Sequence, residues 1–164
     1  MPTCRLSTLA GVSIRATGSS RISTDRHGTA VSYTGHLIIN GRQVLSPKQI
    51  RADWTTRGAA AMDEADHRTE DSDPYGHAWA TGVAGAYATA APLLDAWLTE
   101  LGPAGLPLTD VVAGIKVARA AMVEQTPAGL GDADHVSLSA AASMLLNLAD
   151  DLAVTAFYTW EEER

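Results

Sequence analysis

The chain has 164 residues, 46% of them hydrophobic and 19% charged, with a formal net charge of −7. That length suits a single domain spanning 1–164, able to bury roughly 70% of its unfolded surface without staples, and the lone cysteine, Cys4, excludes a disulfide framework within the chain. The charge is polarised, because residues 1–57 carry eight basic side chains against two acids, a net of +6, while the remainder carries four against seventeen, a net of −13.

One cysteine and no disulfide point to a reducing compartment, and the cytoplasm is expected. Arg5, Ser7 and Thr8 interrupt the N-terminus before an apolar run forms, so no secretory leader is expected. The longest uncharged run, 74–94, is long enough to cross a bilayer, but it is built of Ala, Gly and Thr with Tyr75, His77 and Pro92. Small residues gain little from hydrocarbon, so a closely packed helix is expected there and no membrane partner.

From Thr3 to Leu45 short alternating runs are separated by turn residues, the pattern of an antiparallel meander of four to five strands. Asn40-Gly41 is its strongest hairpin signal. Loop lengths at 18–20 and 25–28 set Arg15 opposite Ser23 and Ile22 opposite Val31, a register that collects Ile14, Ala16, Ile22, Val31 and Tyr33 on one face. The other face collects Arg15, Thr17, Arg21, Ser23, Ser32 and Thr34 and is polar and basic.

Ser46, Pro47 and Gln49 signal a helix start, with Ser as the cap, Pro at the first helical position and Gln three residues after the cap. Ile50, Trp54 and Ala61 mark its buried side, and Gly58 predicts a break. A second helical pattern holds Trp79, Val83, Ala86, Tyr87, Ala90, Leu94, Trp97 and Leu101, with a kink at Pro92 and a stop at Gly102-Pro103. Thr109 and Asp110 are expected to cap a third, through Val112, Ile115, Ala118 and Met122. The fourth carries the clearest stripe: Leu138, Ala141, Leu145, Leu148, Leu152 and Ala156. The expected fold class is therefore α+β, an N-terminal β-meander over 1–45 packed against about four C-terminal helices over 46–164.

The acidic stretch 62–77 holds several strings that resemble chemistry. Asp63-Glu64-Ala65-Asp66 spells a helicase motif, but it lacks the preceding apolar strand and the phosphate loop that such a motif needs. Glu64 and His67 have the Glu-x-x-His spacing of di-iron bundles, without the second copy. Asp71, Asp73 and Gly76 suggest a calcium loop that fails at its twelfth position, Gly82. A looser metal set survives in Asp66, His67, Asp134 and His135, two carboxylates and two imidazoles near helix ends. The competing reading of those four is capping and solvated surface. No catalytic residue and no cofactor are expected.

The basic residues Arg15, Arg21, Arg26, Arg42, Lys48 and Arg51 are the leading candidates for an anion- or partner-binding surface. The expected function is a small non-catalytic protein-protein interaction or assembly protein, oligomeric or partnered, that sets this basic sheet against an acidic protein surface. The alternatives are a sequence-nonspecific nucleic-acid-associated protein using the same arginines, and a metal-dependent enzyme with the Asp/His set.

Overall fold

A computed structural model describes residues 45–156 with their side chains, the backbone of Phe157, and, ahead of them, the backbone of short strand segments. Residues 45–156 contain four helices and no strand, and 80% of them are helical. The helices are α1 (Pro47–His67), α2 (Pro74–Ala96), α3 (Thr109–Glu124) and α4 (Asp132–Phe157), with a π-helical turn, Trp97–Leu101, closing α2.

For residues 45–156 the α+β class expected from the sequence is corrected to a helical one. The reason lies in what the helices bury. Ala80, Ala86, Ala90, Leu94, Ile115, Leu145, Ala149 and Leu152 are buried, and together they supply the apolar faces along which the helices pack. The side chains and turns of the expected meander, and its packing on the helices, lie outside the described residues.

The strand segments are β1 (Cys4–Leu9), β2 (Val12–Thr17), β3 (Ser23–Thr24), β4 (Val31–Ser32), β5 (His36–Ile39) and β6 (Arg42–Val44). Their ladders run β1-β2-β5-β6, with β3 and β4 pairing separately. Arg15 stands opposite Arg5 on one side and Ile38 on the other, where the loop length predicts Ser23. Ser32 stands opposite Ser23, a two-residue shift from the predicted register. Loop length fixes register only between strands that pair, and β2 pairs with β5 instead of the strand that follows it.

The chain divides into two compact units, one formed by 1–47 with 154–164, the other by 48–153. Within the first, the buried Thr155 hydroxyl donates to the Leu45 carbonyl at 2.9 Å, which satisfies a polar group at 2% exposure. Within the second, α1 runs unbroken through Gly58, against the predicted break. A Cβ there would lie 3.1 Å from the Tyr87 Cβ, so the glycine is a site of close approach between α1 and α2. The Arg51 guanidinium forks onto Asp95 at 2.6 and 2.9 Å and joins the start of α1 to the end of α2. Arg119 donates from Nε to the Ala142 carbonyl at 3.0 Å, linking α3 to α4.

One further expectation is revised. The N-cap of α3 is Leu108, without a side-chain cap, and Thr109 is already helical. Pro92 sits inside α2, which continues to Ala96 before its hydrogen bonding widens to the π turn. Among the described residues, no helix is long and apolar enough to cross a membrane.

Candidate functional site

The acidic stretch between α1 and α2 is a built corner. Arg68 Nη1 donates to Asp73 Oδ2 at 2.8 Å, and its Nε donates to the Glu64 carboxylate. Asp73 Oδ1 accepts from the Gly76 amide at 3.0 Å, which makes Asp73 the N-cap of α2, with Pro74 next at the first helical position. The Gly76 amide, with Arg68 behind it, holds the Asp73 carboxyl below its ordinary value. The His77 ring meets the Ala65 carbonyl through Nδ1 at 2.8 Å; since a carbonyl only accepts, Nδ1 carries the proton in that pair. This corner fixes where α2 begins and which way Tyr75 and Trp79, one turn apart, are presented.

Beyond the corner, small residues set the approach of α2 to α4. Ala78, Gly82, Ala86 and Ala90 recur every fourth position and are buried. At Gly82 an added Cβ would stand 2.1 Å from the Ser137 carbonyl oxygen and 3.0 Å from the Ala140 Cβ. Only glycine permits that approach. Beside this crossing the two helices leave an open groove of about 450 Å³.

Trp79 and Val83 from α2 face Val136, Ala140 and Met144 from α4 across it. His135, Ser139, Ser143 and Asn147 supply its polar lining. Trp79 is 53% exposed and Tyr75, a turn earlier, is 54% exposed. An apolar floor with an aromatic edge, hydroxyls and an amide suits binding of a partially apolar ligand, with hydrogen bonds for orientation.

The residues singled out from sequence are placed as follows. Arg51 is committed to Asp95, which raises its already high pKa through that hydrogen bond and lowers Asp95 in turn. Lys48 is exposed on α1. Arg15 and Arg42 lie on strands whose side chains are outside the described residues, and Arg21 and Arg26 are outside them altogether. Asp66, His67, Asp134 and His135 are exposed, and no group of three or more metal-ligating side chains occurs among the described residues. The four therefore form no ligand set there. The His67 ring sits 2.7 Å from the Asp63 carbonyl oxygen, and that contact, with the Asp63 carboxylate, raises its pKa. Of the metal candidates only His135 joins the groove.

Trp79 is the groove residue that periodicity misplaced, since helical spacing assigns it to the buried stripe of α2. The signal that locates it correctly is the Ala78, Gly82, Ala86 series: the small residues mark the line of closest helix contact, and position 79 lies beside that line. A groove between packed helices is a binding architecture shared by many unrelated activities. No family model matches the chain, and no curated protein or solved structure matches it.

Proposed function

We propose that this is a small non-catalytic interaction or assembly protein of the cytoplasm, which holds a protein partner in the α2–α4 groove. The supporting observation is Trp79, 53% exposed at the edge of an open groove floored by Val83, Val136, Ala140 and Met144. Large aromatic side chains contribute most to binding where a partner can desolvate them, and a tryptophan beside an adaptable methionine is such an anchor. The partner-binding reading of the sequence is thus kept, and its seat moves from the basic residues to the groove. The nucleic-acid alternative is disfavoured by charge, because residues 48–153 carry six basic side chains against fifteen acids, a net of −9, and repel a polyanion.

Photo-crosslinking tests the reading. A photoreactive phenylalanine analogue at position 79 is expected to trap one dominant partner in cells. The same group at Val117, 68% exposed on α3 outside the groove, is expected to trap none in common. Equal products at both positions, or none at 79, would refute it.

A further inference from the structure

The groove reading leaves the chemistry of the occupant open, and the arrangement of charge along α4 addresses it. Asp132, Val136, Ser139, Ser143, Asn147 and Asp150 follow one another at spacings of three and four, so they share one face of α4. The middle four line the groove, and the exposed carboxylates of Asp132 and Asp150 stand beyond its two ends. They are eighteen positions apart, about 27 Å along the helix axis at 1.5 Å per residue. On the α2 side Tyr75 and Trp79 form an exposed aromatic ridge, and the loop before them carries the exposed Asp71 beside the Arg68–Asp73 ion pair. The surrounding unit has a net charge of −9.

Resting on the groove reading, we infer that the occupant is a cationic amphipathic helix of a partner protein. Its apolar stripe covers Trp79, Val136 and Met144, and Lys or Arg near its two ends meet Asp132 and Asp150. A span of about 27 Å is matched by about five helical turns. Residues 45–156 offer no strand edge to which an extended peptide would add, whereas a shallow cleft between packed helices accepts anchors spaced at three, four and seven. A small molecule would leave much of its surface wet in so open a cleft. An anionic membrane or nucleic acid meets the wrong sign of field. Basic side chains also stack on an exposed indole, so Trp79 itself favours a cation.

The inference is tested with the full chain and two labelled model helices of about 18 residues. Both carry one leucine face; one has Lys near its ends and the other has Glu at the same positions. Fluorescence anisotropy is expected to show the Lys helix binding and the Glu helix not. Asp132→Asn with Asp150→Asn weakens the Lys helix about tenfold at low salt, and the difference fades as salt rises. Trp79→Ser weakens it roughly 30-fold. Ser143→Lys, which sets a like charge in mid-groove, does the same without removing any packed group. Circular dichroism verifies that each variant keeps its helix content. Equal binding of the two helices overturns the inference, as does indifference to both Trp79→Ser and Ser143→Lys. Displacement of the Lys helix by unlabelled protein, with a dimer that Trp79→Ser abolishes, assigns the groove to a second copy and overturns it too. If neither helix binds while position 79 still traps one partner in cells, the cationic occupant falls and the groove reading stands; if position 79 also traps nothing, both fall.

Discussion

A methyl group added at Gly82 and one added at Gly85 are expected to move stability in opposite directions. The two glycines lie three residues apart in α2, and both gain about 1 kcal/mol in helix propensity when replaced by alanine. At Gly85 nothing lies within 4 Å of the new Cβ, so that gain is the whole effect. At Gly82 the Cβ falls 2.1 Å from the Ser137 carbonyl oxygen and 2.9 Å from its carbon, atoms of a neighbouring helix backbone that cannot rotate away. Ordinary contact begins near 3.4 Å, so α2 and α4 must separate locally by about 1.3 Å, a large displacement in a close-packed interior. Overpacking of that kind costs about 3 kcal/mol at the upper end of its usual range, and the propensity gain reduces the net loss to about 2 kcal/mol. With an unfolding entropy near 2.1 cal/mol/K per residue, about 2 kcal/mol corresponds to a fall of about 6 °C in Tm. Urea denaturation followed by circular dichroism measures both variants, and the difference between them is expected to be about 3 kcal/mol. If Gly82→Ala stabilises as Gly85→Ala does, the close crossing of α2 and α4 is wrong, and the groove beside it loses its basis.

Three other outcomes follow from the contacts. Asp95→Ala removes the fork from Arg51, whose side chains are 47% and 28% exposed respectively; solvent screening limits the loss to about 1 kcal/mol, shrinking further in molar salt. Arg51→Lys keeps the charge without the fork and recovers little of it. His67 is expected to titrate above 6.5 in a proton NMR series, and because its folded value is the raised one, its contribution is complete below 6.5 and is lost as pH rises through the raised value. Asp63→Asn lowers that midpoint only in part, since the backbone carbonyl contact remains; a midpoint at or below 6.5 in the parent chain refutes the placement of the ring. The two tryptophans at 3% and 53% exposure separate core from surface. Trp54→Ala is expected to cost about 3–5 kcal/mol and Trp79→Ala under about 1 kcal/mol in urea melts, and comparable losses would contradict the exposed setting of Trp79.

Local signals carried part of this architecture. Ser46-Pro47 marks the start of α1, and Gly102 follows the π turn that ends the second helical segment. The stripe of α4 is buried at Ala141, Leu145, Leu148 and Leu152, while Leu138 and Ala156 at its ends are half-exposed. Each of these rests on propensity or period within one element. What misled was always a matter of partners. Gly58 predicts a break until Tyr87 is seen packed on it. Thr109 predicts a cap, yet Leu108 opens the helix one residue earlier. Arg51 reads as a free cation from sequence because Asp95 lies 44 positions away. The polar and basic sheet face read from the sequence falls on residues whose side chains lie outside the described ones. Trp79 fell between these cases: its period placed it inside, and only the line of small residues beside it shows why the helices part there.

The hydrogen bond from Thr155 to the Leu45 carbonyl closes a separation of 110 residues. The chain therefore enters and leaves the helical body at one place, so that body is topologically an excursion with adjacent ends. Modules with that geometry tolerate circular permutation and transplantation, because rejoining the two ends requires little linker. The natural point at which to reopen such a ring is the exposed turn at Pro127–Gly129, where Gly129 holds a φ of +90° and nothing crowds it. A chain opened there would begin with α4 and end with α3, presenting α2 and α4 in reversed order of synthesis with the groove between them unchanged.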